Sequence, residues 1–264
     1  MDPKPLPALF VSHGAPLEAL ESDGAFARQL RRFVEALPPP RAIVIVSAHW
    51  ETPGEVRVTA SDKPPMIYDF GGFPEELYHI GYPCPGEPTL AAEVVALLKS
   101  AGIPTALDPR RGLDHGAWVP LLLAFPRADV PVVQVSLPRR AFPQGVAAQG
   151  AALSALRDRG VLLIGSGGAV HNLARADLRV GESEGADWAR TFDDWLARRL
   201  AARDFAAILD YRTRGPQARL AAPTPEHFDP LLLILGAARA GERVTTVHEG
   251  FRYASLSMRS FAIS

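Results

Sequence analysis

Cysteine is nearly absent: Cys84 is the single one in 264 residues. That excludes an intrachain disulfide and every multi-cysteine zinc or iron–sulfur centre, and it suits a reducing compartment, so the cytoplasm is the expected location. Long hydrophobic runs are missing as well. Segments such as residues 231–235 fall far short of the ~20 residues a membrane helix needs, and the first nine residues lack a signal-peptide apolar core, so no membrane association is expected. Nor does either sign of charge dominate. With 28 Lys and Arg against 29 Asp and Glu, no basic tract follows a phosphate backbone, which argues against nucleic acid and for a small, uncharged substrate. There is no internal repeat and no low-complexity tail. At 47 % hydrophobic residues the chain can bury one large core, and residues 1–264 read as a single domain.

What is present is a series of apolar, β-branched runs that end in polar residues. The stretch Ile43-Val44-Ile45-Val46 suits a strand covered on both faces, as in parallel α/β sheets, and it runs straight into Ser47, His49 and Glu51. Similar strands are expected over residues 7–13 and 161–165, the first ending in His13 and the second followed by His171. Further strands are expected over residues 55–60, 103–107 and 130–137. Helical spacing marks residues 22–37, with Ser22 as cap, and residues 88–101, 118–125, 147–159, 188–200, 205–211 and 231–240. This alternation predicts an α/β fold, a single domain with a central mostly parallel sheet flanked by helices. Residues 243–248 and 251–258 are expected to pair as an antiparallel hairpin at its C-terminal edge. Between Ser61 and Pro88 periodicity vanishes in a long loop rich in proline, glycine and aromatics. A loop of this length in a compact domain is commonly functional. Its aromatics either line a pocket for a flat ligand or pin the loop itself.

An isolated histidine is by default a structural or surface imidazole, and His248, inside an alternating strand, is read so. His79 sits in the aromatic loop. The other five, His13, His49, His115, His171 and His227, each stand where an element ends, beside glycine or proline or just past a buried strand. Neutral imidazoles gathered on the carboxyl rim of a sheet suit a divalent transition metal with open positions. Competing motifs are incomplete. No His-Glu-x-x-His helix occurs, Ile164 replaces the first glycine of a serine-hydrolase elbow around Ser166, and Val170 replaces the third glycine of a dinucleotide loop.

Six segments taken together resemble the DODA-type extradiol ring-opening dioxygenases, relatives of the LigB-type enzymes. They are His13-Gly14-Ala15-Pro16, Ser47-Ala48-His49-Trp50-Glu51, Asp69-Phe70-Gly71-Gly72-Phe73-Pro74, Leu113-Asp114-His115-Gly116, His171-Asn172-Leu173 and His227-Phe228-Asp229-Pro230. The resemblance implies a small aromatic diol opened with O2 at a non-haem metal, Fe(II) first and Zn(II) in some members. By that likeness His13, His49, His171 and His227 are metal positions, and His115 and His171 are acid–base positions, His171 standing in both roles. Asp69, Phe70 and His79 are expected at the substrate. One departure from the LigB-type pattern is His227 in place of a carboxylate, which shifts the donor set toward zinc. Asp114, Glu51 or a backbone carbonyl is expected to fix the ring tautomers. Two other readings stay open from the sequence: a zinc-dependent hydrolase at the same histidines, and a non-catalytic binding protein of the same fold.

Overall fold

The computed structural model describes residues 4–139 and 143–264. Its strands are β1 (Ala8–Ser12), β2 (Ala42–Thr52), β3 (Val56–Thr59), β4 (Thr105–Asp108), β5 (Val132–Pro138), β6 (Val161–Gly167), β7 (Glu182–Ser183), β8 (Val244–His248), β9 (Phe251–Arg252), β10 (Leu256–Ser257) and β11 (Ser260–Ile263). The longer helices are α1 (Ala25–Glu35), α2 (Pro88–Ser100), α3 (His115–Ala124), α4 (Pro143–Leu153) and α5 (Asp187–Ala201). Short helices α6 (Phe205–Leu209), α7 (Tyr211–Arg214) and α8 (Ala218–Ala221) lead to α9 (Asp229–Gly236). Among the described residues, no helix is long and apolar enough to cross a membrane.

Eight strands form one sheet in the order β4-β3-β5-β2-β6-β1-β11-β8. Its centre is parallel: β5, β2, β6 and β1 run the same way, so their carboxyl ends share one rim. Alternation in β2 explains why the sheet is covered twice. Ile43 and Ile45 pack with Phe26, Leu30 and Val34 of α1 and Trp118 of α3, while Val44 and Val46 pack with Leu90 of α2 and Leu232 of α9 on the opposite side. A strand buried on both faces has no place for a polar residue except at its end.

Three expectations about elements are corrected. α1 is capped by Gly24 without a side-chain bond, and Ser22 lies in the preceding turn. α3 begins at His115, earlier than residue 118, because Asp114 accepts the Ala117 N–H and caps it. At the C-terminal edge β8 pairs antiparallel with β11, and β9 joins β7 and β10 in a separate small sheet. The antiparallel edge is therefore present, with residues 260–263 as the partner in place of 251–258.

Candidate metal centre

The rim collects the histidines by distinct local devices. His13 follows β1, its N–H bonded to the Gly167 carbonyl at 3.0 Å. His49 lies on an arch of β2: pairing with β5 holds at Val46↔Val135 and resumes at Glu51↔Leu137, so five steps on one strand match two on the other. Extra residues of this kind commonly re-aim a side chain beside an active site. His227 sits on a turn closed by Phe228 and Asp229 N–H groups on the Pro225 carbonyl, just ahead of α9. Its own carbonyl accepts from Gly168 at 2.8 Å. A Cβ at Gly167 would stand 2.1 Å from that carbonyl, so the glycines around Ser166 allow this turn to lie against β6. Gly116 does the same for α3, since a Cβ there would meet Ser47 Oγ at 2.4 Å and His49 Cδ2 at 2.8 Å.

Three imidazoles converge. Ligand atoms of His13, His49 and His227 all lie within 4.8 Å of one another, and His13 Nε2 is 3.2 Å from His49 Nε2. Nitrogens bound to one tetrahedral ion at about 2.0–2.1 Å stand roughly 3.3 Å apart. The other ring nitrogens are engaged elsewhere. His13 Nδ1 lies 3.0 Å from Ser166 Oγ, whose proton goes to the Gly116 carbonyl, so His13 Nδ1–H donates and Nε2 keeps its lone pair. His227 Nδ1 faces Glu226 Oε1 at 3.2 Å, while its Nε2 is buried with no hydrogen-bond partner among the described residues. A buried, unpaired imidazole nitrogen is costly, and an ion at this point would satisfy it. The donor set fits a divalent metal.

Electrostatics favour neutral rings at His13, His49 and His171. Burial, then the charges its imidazole neighbours would carry if protonated, holds His13 well below the ordinary histidine value. Burial followed by His115 and His227 pushes His49 down to about 2, and burial followed by His227 takes His171 to about 3. Neutral imidazole is the form that binds metal.

The remaining candidates fall around this cluster. His171 stacks flat on His227, ring centroids 3.5 Å apart and 6° between planes, and lies outside the three-nitrogen group. His115 opens α3 with its ring 4.0 Å from that of His49. Asp69 reaches it from the loop: Oδ1 accepts both the His115 backbone N–H and ring Nδ1–H at 2.9 Å, and Oδ2 stands 3.5 Å from His49 Nδ1. Burial works to raise the Asp69 pKa, but the bonds from His115 outweigh it and bring the carboxyl to about 2. Phe70 lies edge-on to His115 at 5.6 Å and contacts Phe73, Tyr78 and Trp118. His79 is 75 % exposed against Glu75, away from the cluster, and His248 bonds Gln29. Asp114, fully buried, accepts from Ser47, Gln134, Arg111 and the α3 N-terminus, and no ring nitrogen of these histidines bonds to it or to Glu51. Sequence reading passed over Ser47 and Ser166 as supports. The available signal was the place of Ser47 two residues before His49 and of Ser166 one residue before the end of β6.

The family described as the catalytic LigB subunit of aromatic ring-opening dioxygenase matches residues 7–263. A 4,5-DOPA dioxygenase extradiol of Escherichia coli (strain K12) is 42 % identical over 98 % of this chain and 94 % of its own length. A protein of the same name from Beta vulgaris is 39 % identical over 96 % of this chain and 94 % of its own. Among solved structures, an uncharacterized protein from Escherichia coli K12 superposes with a TM-score of 0.83 at 37 % identity, covering 98 % of this chain and all of that one.

Proposed function

Because this chain belongs to the LigB family of extradiol, aromatic ring-opening dioxygenases, we propose that its substrate is a small catechol, opened with O2 at a metal held by His13, His49 and His227. The observation that carries this reading is that His227, whose Nε2 is buried without a hydrogen-bond partner among the described residues, brings a ring nitrogen within 4.8 Å of ligand atoms of His13 and His49. Fe(II) is the metal of the proposal, and Zn(II) is the alternative that the all-imidazole set admits. What the bound metal supplies is a set of open positions in which the diol and O2 meet as an oriented pair.

The chain's own residues do the rest. His115 donates through Nδ1 to Asp69, so its Nε2 has a lone pair to take a proton from a catechol hydroxyl and to return it later. His171 rests on the His227 ring at the edge of the cluster and is the second acid–base group of the proposal. Phe70, with Tyr78 and Trp118 behind it, offers a flat apolar wall beside His115 for an aromatic ring. His79 is left out, since it points to solvent. The single, buried Cys84 thiol is in keeping with work in the cytoplasm.

Anaerobic reconstitution with ferrous iron, followed by oxygen-electrode assays over a panel of catechols that includes 4,5-dihydroxyphenylalanine-type substrates, tests the reading. The product should gain both atoms of labelled O2. Tight metal binding with no oxygen uptake on any catechol, and ester or amide hydrolysis with zinc instead, would overturn it.

A further inference from the structure

Asp69 belongs to a segment with no regular structure, yet it is held firmly. Residues 65–67 run beside Leu113, with the Leu113 N–H on the Pro65 carbonyl and the Ile67 N–H on the Leu113 carbonyl, both at 2.8 Å. The Trp118 indole N–H bonds the Ile67 carbonyl at 3.1 Å, and Tyr68 and Phe70 pack around Trp118. The loop is thereby fastened to the first turn of α3. Its carboxylate faces two rings at once, His115 through Oδ1 and His49 through Oδ2. Since a carboxylate only accepts, His115 donates its Nδ1–H to Oδ1, and the Oδ2 charge 3.5 Å from His49 Nδ1 favours the Nδ1–H form of that ring as well, which leaves the lone pairs of both Nε2 atoms pointing away.

We propose that Asp69 is a positioning residue that sets the tautomer of two histidines together, the metal position His49 and the acid–base position His115, and that it does not bind substrate directly. The inference rests on the assignment of His49 as a ligand and of His115 as the proton carrier. Metal loading and proton transfer thereby both depend on one carboxylate. Partners of this kind, removed from a ligating histidine, commonly cost 10- to 100-fold in metal affinity, on the order given for such carboxylates generally.

Asp69→Asn separates the two rings. The His115 backbone and ring N–H groups keep the amide oxygen on their side, so the amide NH2 turns toward His49 and must donate to its Nδ1. The His49 proton then moves to Nε2, the nitrogen a metal needs. Histidine 15N NMR of the metal-free protein reads this directly: wild-type His49 and His115 show the Nδ1–H tautomer, and the variant shows His49 converted to Nε2–H with His115 unchanged. Cobalt or zinc affinity, by chelator competition, should fall about 10- to 100-fold in the same variant. Asp69→Glu, which keeps two acceptors, should restore most of that affinity and guards against a folding defect in the amide variant. Unchanged tautomers and metal affinity with weakened catechol binding would make Asp69 a substrate contact and overturn the proposal. These readouts use no turnover, so they stand apart from the success or failure of the catechol assays.

Discussion

Single histidines take up two kinds of position around this centre, and their second nitrogens tell them apart. His13 and His227 are each tied through Nδ1, to Ser166 and Glu226, which leaves Nε2 of each for another partner. His115 has the same Nδ1 arrangement but opens a helix beside the cluster. We expect His49→Ala to lose most bound metal while unfolding near the wild-type temperature, because the side chain lies on a strand arch and not in the core. Metal analysis and thermal melting on one preparation check this, and full occupancy in the variant would remove His49 from the ligand set. His115→Ala should instead keep its metal and lose about 10²- to 10⁴-fold in turnover, the usual share of a proton-transfer group. Metal content, anaerobic catechol affinity and oxygen uptake measured together distinguish the two. The five rim histidines were legible in the sequence because each stands beside glycine or proline or just past a buried apolar run, although His115 proves to open an element and His49 to lie within one. The partner of His115 was not: Asp69 is 46 residues away in a loop without periodicity, and only tertiary packing on Trp118 brings it there.

Elements position these residues through close backbone approach. α3 packs its first turn onto β2 with no room at Gly116, where a methyl group would overlap Ser47 Oγ and His49 Cδ2. On an exposed helix a Gly→Ala change gains about 1 kcal/mol. Here the sign should reverse. Gly116→Ala is expected to lower stability by about 1–3 kcal/mol, the range for an overpacked site, and to weaken metal binding by displacing His49. Urea unfolding of the metal-free protein and a metal titration check both parts, and a stabilised variant with full affinity would show that α3 moves aside freely. The parallel strands were readable because runs such as Ile43–Val46 are buried on both faces. The C-terminal edge departs from the expected hairpin for a related reason. Four residues, Ser260–Ile263, are too few to show a period, yet they close the sheet between β1 and β8, and the longer apolar stretch before them turns off into the small sheet.

Over the whole molecule, buried neutral imidazoles and buried carboxylates pull the acid response in opposite directions. A histidine in the unfolded chain protonates near its ordinary 6.5, whereas folded His171 holds out to about 3 and His49 to about 2. Between those values protons bind the unfolded chain more, so stability falls as pH falls below 6.5. Glu18 and Asp229 act the other way. Burial above all lifts each to about 7, so over the interval from 7 down to the ordinary carboxylate range the folded state takes up more protons and gains. The two groups of residues oppose each other from pH 7 to about 4.5, and the metal-free protein should show only a shallow change there. Below about 4.5 the lifted carboxylates are protonated in both states and contribute nothing further, while His49 and His171 still resist. Asp69 and Glu226, each held near 2, then add losses of the same sign as their partners are stripped of attraction. Thermal unfolding in steps from pH 7 to pH 3 should therefore trace a plateau followed by a steep descent. His171→Phe, which keeps a ring against His227 but cannot protonate, should make that descent shallower and, with one opposing histidine removed, tilt the plateau toward higher stability as the pH falls from 6.5 to about 4.5. A descent equally steep in the variant would remove His171 from the groups that set the acid limit.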